Sequence, residues 1–255
     1  MNPTSSKKIY FASDFHLGAP STSVSLVREK KVVAWLKSIQ HDAEKIFLVG
    51  DIFDFWFEYK RAIPRGYTRL LGTLSELCDM GIEVHVFTGN HDMWIFDYLT
   101  QECGVILHRE PITMTWNDKK CMIGHGDGLG PGDYGYKFIK RVFANRMCQW
   151  LFARLHPNFG IWLASSLSGY SRSSTGDKDR VYLGEDKEWL IIWCKEQLMR
   201  EHYDYFIFGH RHYPLQIDLG SGSTYINLGE WMSEPHYAVF DGNACELKKL
   251  TAPAR

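Results

Sequence analysis

The sequence predicts an α/β fold, or more loosely α+β, in which helices cover a sheet and a helical cap is inserted. Two patterns carry the prediction. Through the first hundred residues, short β-branched and aromatic runs alternate with longer stretches of helical period. Between residues 134 and 202 the pattern turns largely helical, and strands then resume. Taken in order, Lys8 to Ser13 reads as a strand, Ser25 to Ile39 as a helix, Lys45 to Val49 as a strand, Tyr67 to Met80 as a helix and Glu83 to Thr88 as a strand. Short strands follow near Val105 to Leu107 and Lys120 to Ile123, and after the helical block at Tyr205 to Phe208, Thr224 to Asn227, Tyr237 to Asp241 and Glu246 to Leu250. Ser165 to Thr175, rich in Ser and Gly, reads as a loop. On this reading residues 1–133 and 203–255 form the core and 134–202 the cap.

With 255 residues, 45% of them hydrophobic, the chain can bury one substantial core. Its six cysteines show no close pair of the kind that clips zinc or exchanges disulfides, so a reducing, cytoplasmic setting is expected. The polar start, Met1 to Lys8, lacks the pattern of a secretory signal, and no apolar run approaches the ~20 residues of a membrane span. The net charge of -1 argues against a general nucleic-acid binder. That average conceals an asymmetry. From Tyr134 to Gly176 there is no Asp or Glu, while Lys137, Lys140, Arg141, Arg146, Arg154 and Arg172 all lie there. Ile139, Val142, Phe143, Met147, Trp150, Leu151 and Leu155 recur at helical spacing among them, and Phe159, Ile161, Trp162 and Leu163 follow. Apolar and basic residues without acids describe an interfacial element, attracted to anionic lipid.

Five polar clusters each follow a predicted strand: Asp14-Phe15-His16, Gly50-Asp51-Ile52-Phe53-Asp54, Gly89-Asn90-His91-Asp92, Gly124-His125-Gly126-Asp127 and Gly209-His210-Arg211-His212. Carboxyl ends of strands converge on one crevice, where residues distant in sequence can meet. Carboxylate, imidazole and amide oxygen, with no thiolate, suit divalent ions such as Mn, Fe or Zn. Two such ions about 3.5–4 Å apart can share a carboxylate and position a water for in-line attack on phosphorus. Asp51, central in the set, is the natural bridge. The glycines before Asp51, Asn90, His125 and His210 fit sharp turns. A lone Asp at a strand end is usually a helix cap and a lone His usually packs, so the weight rests on five clusters together.

In this order the clusters resemble the signature of the calcineurin-like metallophosphoesterases, from Asp14 to His212. The resemblance implies a four-layer β-sandwich flanked by helices, with two packed sheets in place of one doubly wound sheet. It implies one metal held by Asp14, His16, Asp51 and His212, and a second by Asp51, Asn90, His125 and His210, with Mn2+ preferred. His91 and Asp92 would be catalytic, lying beside the phosphate, the carboxylate fixing the imidazole tautomer. Asp54 and Asp127 would orient ligand histidines.

A narrower resemblance is to the UDP-2,3-diacylglucosamine pyrophosphatases of lipid A synthesis in Gram-negative bacteria. It rests on Gly50 to Trp56, His125-Gly126-Asp127 with Asp133 and Tyr136, the segment Ser171 to Lys178, and Leu228-Gly229-Glu230-Trp231. It implies hydrolysis to UMP and a diacylglucosamine 1-phosphate at the cytoplasmic face of the inner membrane, with the cap on the membrane surface. Substrate would meet Asn90, His91, Asp133, Tyr136, Ser171, Thr175, Lys178 and His210. Where those enzymes carry Arg after the ligand Asn, this chain has His91, which exchanges a bidentate fork for a titratable proton. A phosphodiesterase or phosphatase on a soluble nucleotide or phosphoprotein is the alternative enzyme, and a noncatalytic scaffold would lack ligands that are all present here. Oligomeric state is not readable from the sequence.

Overall fold

Strand β1 (Lys8–Ala12) shows how the core is built: Ile9 and Phe11 face one hydrophobic cluster, Tyr10 and Ala12 face another, and all four are buried. A strand with no solvent side reads as a continuous apolar run. The computed structural model describes residues 7–131, 134–175 and 181–251, with the backbone alone over 170–175. After β1 come α1 (Thr22–Ile39), β2 (Ala43–Val49), α2 (Thr68–Asp79), β3 (Glu83–Phe87), α3 (Tyr98–Cys103), β4 (Ile106–His108), β5 (Ile112–Trp116) and β6 (Lys119–Gly124). Four helices follow, α4 (Tyr134–Ala144), α5 (Arg146–Phe152), α6 (Pro157–Thr175) and α7 (Trp189–Leu198). The chain ends in β7 (Tyr205–Phe208), β8 (Pro214–Gly220), β9 (Ser223–Leu228), β10 (His236–Phe240) and β11 (Cys245–Lys249).

The strands form two sheets, ordered β11-β10-β1-β2-β3-β4 and β5-β6-β7-β9-β8. β1 to β4 are parallel, as are β6, β7 and β9, while β10, β11, β5 and β8 pair antiparallel at the margins. Ile9, Phe11, Phe47, Val49 and Phe87 from one sheet meet Ile123, Ile207, Ile226 and Leu228 from the other, which fixes them face to face. On the outer side of the first sheet, Ile46, Leu48, Val84 and Val86 take up Val32, Trp35 and Leu36 of α1 and Leu70, Leu74 and Leu77 of α2. On the outer side of the second, Phe206, Phe208 and Tyr225 take up Leu190, Ile191 and Cys194 of α7. Four layers result, in the order expected for the sandwich.

Several expectations are corrected. Ser165 to Thr175 is not a loop but the second half of α6. Its Ser-rich composition weakens helix propensity, yet the preceding turns, packed through Ile161 and Ala164 on Phe55, Phe57 and Trp94, carry it on. Helix α7, expected in the 134–202 insert, is an outer layer of the sandwich. Helix α1 starts before Ser25 because Ser21 caps it, accepting from the Val24 amide at 3.4 Å. Strands β5 and β8 and helix α3 add to the expected set. Helices α4 to α6 lie over the carboxyl ends of the strands, joined to the core by Phe152, Ile161 and Ala164 and by the Trp94 indole, which donates to the Phe143 carbonyl at 2.8 Å.

Candidate metal centre

The loops after β1, β2, β3, β6 and β7 meet at one edge of the sandwich, because these strands run parallel within their sheets. Asp14 (φ 57°), His16 (φ 43°), Asp51 (φ 50°) and His210 (φ 66°) all sit in the left-handed region, which side chains other than Gly rarely adopt. Such backbone persists where its surroundings over-determine it, and this is common at functional sites. Here the loops brace one another. The Asp14 amide donates to Gly50 O at 3.1 Å, the His16 amide to Asp51 O at 2.9 Å and the Gly209 amide to His125 O at 3.1 Å. Asp14 Oδ2 accepts from the His210 amide at 3.0 Å and from the Ser13 hydroxyl, and Asp51 Oδ1 accepts from the His91 amide at 2.8 Å. Gly89 and Gly209 have ordinary φ and serve a different need from the expected sharp turn. A Cβ at Gly89 would strike the Asp51 carboxylate, and one at Gly209 would strike Ser13 and Asp14.

The seven residues singled out from the sequence come together as two donor groups that share Asp51. In one, His16 Nε2 lies 3.2 Å from His212 Nε2, 3.7 Å from Asp14 Oδ1 and 3.8 Å from Asp51 Oδ2, and His212 Nε2 is 3.4 Å from Asp14 Oδ1. In the other, His125 Nε2 lies 3.3 Å from Asp51 Oδ2 and 3.3 Å from Asn90 Oδ1, which is 2.9 Å from His210 Nδ1. Donors about 2.1 Å from one ion stand roughly 3.0–3.5 Å from each other, so both groups fit a divalent cation. The buried Asp14 Oδ1 has no hydrogen-bond donor, as a metal-facing oxygen should not. The donor groups can hold divalent metal.

The electrostatics agree. Burial pushes His16 and His210 down to about 4, leaving neutral imidazoles with free lone pairs. Burial alone would raise the two aspartates, but the adjoining His16 and His212 imidazoles hold Asp14, and the charge of His125 holds Asp51, well below the usual carboxylate range. Burial would lower His125 as well, yet the Asp51 charge beside it lifts it to about 10. His125 Nδ1 donates to the Val49 carbonyl at 2.9 Å, which directs Nε2 at Asp51. A divalent cation between them would replace that proton.

Around this centre the expected roles divide. Asp54 Oδ1 stands 3.8 Å from His16 Nδ1, on the outer nitrogen of a donor imidazole. Asp127 binds the Tyr136 hydroxyl at 2.6 Å and Lys140 Nζ at 2.7 Å, tying α4 to the site, and the Tyr136 ring lies 6.5 Å from that of His210. Asp92 is corrected. It is fully buried and accepts the Ile52 and Gly89 amides at 2.7 Å and the Phe53 amide at 3.3 Å, so it holds two loops and does not fix the His91 tautomer. Facing His91 Nδ1 is the carbonyl of Asp54, at 3.1 Å. Asp133 and Lys178, and the side chains of Ser171 and Thr175, lie outside the described residues.

Two residues given no role from sequence also shape the centre. Arg211, between His210 and His212, is buried and reaches Glu188 at 3.1 Å and the Val181 carbonyl at 3.0 Å, which anchors the histidine loop to the start of α7. An Arg flanked by two candidate ligands was the available signal. Trp231 packs edge-on against Phe15 and Trp35 at centroid distances of 4.9 and 5.3 Å, and its amide donates to Asp14 O at 3.1 Å.

A four-layer sandwich with two His/Asp/Asn donor groups that share one carboxylate at its strand ends defines a metal-dependent hydrolase of phosphoesters. The chain belongs to the calcineurin-like phosphoesterase family, whose model matches residues 7–214. It is 38% identical to UDP-2,3-diacylglucosamine hydrolase of Porphyromonas gingivalis, over 95% of this chain and 97% of that protein. It is 24% identical to the Aeromonas salmonicida protein of the same name, over 96% of this chain and 94% of that one. Among solved structures, a predicted phosphoesterase from Streptococcus pneumoniae aligns with a TM-score of 0.44 at 14% identity, over 96% of this chain and 89% of that one.

Proposed function

We propose that this chain hydrolyses the pyrophosphate of UDP-2,3-diacylglucosamine to UMP and 2,3-diacylglucosamine 1-phosphate, a step of lipid A biosynthesis. The relatives' names support the substrate, and one observation favours a lipid-linked substrate over a soluble one. A cleft of about 730 Å³ opens beside Asp54, between the Gly18–Pro20 and Asp54–Tyr67 loops and Pro157, Ile161, Trp162 and Gly169 of α6. The helices above it leave Phe138, Met147, Trp150 and Trp162 more than half exposed. An open, apolar cleft next to the donor groups has room for acyl chains that a sealed cap would exclude.

In this reading Asp14, His16, Asp51 and His212 hold one ion, and Asp51, Asn90, His125 and His210 the other, with Mn2+ the preferred metal. When bound, the ions supply Lewis acidity at phosphorus and acidify a nucleophilic water. Asn90 and His91 flank the α-phosphate. The Asp54 carbonyl can only accept, so His91 Nδ1 carries a proton, and a second proton on Nε2 would be the one given to the departing oxygen. The water oxygen bonds to the α-phosphorus as the bond to the bridging oxygen breaks. That oxygen leaves with the sugar 1-phosphate. Helices α4 to α6 form the cap, the sugar-side contacts are assigned to Tyr136 together with Asp133, Ser171, Thr175 and Lys178 by the resemblance alone, and the apolar, basic outer face rests on the inner membrane from the cytoplasm.

The test is direct. Metal-loaded protein given UDP-2,3-diacylglucosamine should release UMP, read by chromatography. Intact substrate, alongside cleavage of bis(p-nitrophenyl) phosphate by the same sample, would leave only a generic phosphodiesterase.

A further inference from the structure

Helix α6 meets the core along a single stripe. Gly160, Ile161, Ala164 and Ser168 recur at helical spacing on its inner face. Gly160 passes so close to Tyr59 that a Cβ there would strike its hydroxyl, and Ile161 and Ala164 pack on the cluster of Phe55, Phe57 and Trp94. The stripe ends on a hydroxyl. Ser168 Oγ lies 2.8 Å from His91 Nδ1, 2.9 Å from the Asp54 carbonyl oxygen and 3.2 Å from Asp54 Oδ2.

The hydrogen positions in this cluster follow from what each group can do. With the Asp54 carbonyl 3.1 Å from His91 Nδ1, that nitrogen must be the donor. The Ser168 hydroxyl gives its own proton to Asp54 and so keeps a lone pair for the imidazole N–H. His91 is thereby held from the core by a carbonyl and from α6 by a hydroxyl. Without Oγ the N–H would retain a single acceptor, at the longer of the two distances. A serine within a helix brings no packing gain over alanine and competes for backbone bonds, so its worth at this position lies in what the hydroxyl reaches.

We propose that Ser168 is a positioning residue for His91, coupling the seating of α6 to the orientation of the imidazole that serves the leaving oxygen. This rests on the reading of His91 as the group beside the phosphate. The hydroxyl fixes the ring plane and keeps Nε2 toward substrate. A helix lifted from the core would release it.

The experiment compares S168A, S168T, H91N and the S168A/H91N double variant as full-length, Mn2+-loaded protein on UDP-2,3-diacylglucosamine. In S168A, kcat should fall about tenfold, a part of the 10²–10⁴-fold that a positioned acid typically contributes. Its KM should stay within about twofold, since the interaction is made in the transition state, and its thermal midpoint should not drop, since alanine is the better helix former. S168T, which keeps the hydroxyl, should restore the rate. In the H91N background S168A should cost nothing further. Nitrogen-15 spectra of zinc-loaded protein should show the His91 Nδ1–H as a hydrogen-bonded proton, which should exchange with solvent faster in S168A and as slowly as in the unaltered protein in S168T. If H91N is slow but the two losses add, or S168T is as slow as S168A, the role of Ser168 falls while that of His91 stands. If H91N is as fast as the unaltered protein, both fall.

Discussion

Asp51 is the residue on which both donor groups depend. Its Oδ2 faces His16 at 3.8 Å and His125 at 3.3 Å, while Oδ1 holds the His91 amide at 2.8 Å. An Asp51→Asn substitution keeps the shape and removes the charge that both donor groups share. Activity should fall by more than about 100-fold, because even residues that merely orient metal ligands typically cost 10–100-fold. Metal content after gel filtration, measured by mass spectrometry, should fall with it. Full metal retention in an inactive Asp51→Asn protein would show that the carboxylate serves the chemistry and not the binding. Asp92 gives the opposite signature. Its three amide acceptances are structural, so Asp92→Ala should lower stability by about 3 kcal/mol, the cost of stranding buried amides that lose their acceptor. Denaturant melts would show a lower midpoint at unchanged slope.

At the scale of elements, β3 and β4 carry a histidine pair, His85 buried and His108 half-buried, that ties stability to pH. His85 stacks on Phe47 with centroids 4.3 Å apart, and its Nδ1 lies 2.9 Å from His108 Nε2. Burial, then the charge of His108, pushes His85 down to about 4. The unfolded chain takes up that proton near pH 6.5 while the folded chain resists, so the stability His85 contributes is full above 6.5 and lost as pH falls toward 4. His85→Phe, which keeps the stacking, should lessen the fall in thermal midpoint between pH 7 and pH 5. An unchanged slope would place the proton uptake elsewhere, for instance at His16 or His210.

Which elements were legible follows from their burial. Strands β1, β2, β3 and β7 are covered on both faces and show as apolar runs. Strand β8, Pro-Leu-Gln-Ile-Asp-Leu-Gly, is an edge strand whose residues alternate between exposed and half-buried, and its apolar signal is diluted by every second residue. Helix α7 falls within the same largely helical stretch of sequence as the insert, and only Leu190, Ile191 and Cys194 against the sheet reveal its allegiance. The donor residues were readable because each follows a strand with a Gly or a polar neighbour in a fixed order. Ser168, Arg211 and the carbonyl of Val49 were not, since their parts depend on contacts 114, 23 and 76 residues away in sequence.

The whole molecule presents one uneven surface. Helices α4 to α6 expose Phe138, Met147, Trp150 and Trp162, with Arg141, Arg146 and Arg154 exposed around them and no acidic residue in the segment. No helix among the described residues is long and apolar enough to cross a membrane. The arrangement suits a surface that is apolar below and anionic above, where the rings would enter the acyl boundary and the cations would meet headgroups. Arg154 already lies 4.6 Å over the Trp150 ring, which places a cation and an aromatic ring at the same depth. The protein should therefore sediment with phosphatidylglycerol vesicles, less with neutral phosphatidylcholine vesicles, and less again as salt is raised. Tryptophan emission should shift to the blue on binding. Trp150→Ser should reduce partitioning about tenfold, in keeping with roughly 1.5 kcal/mol or more for a large side chain withdrawn from apolar surroundings. Hydrolysis of bis(p-nitrophenyl) phosphate by that variant should be unchanged, because Trp150 is more than half exposed and its ring meets Arg154, not a donor residue. Equal sedimentation with both kinds of vesicle would remove the electrostatic part of the account. No sedimentation with either would leave the apolar face to the substrate's acyl chains alone.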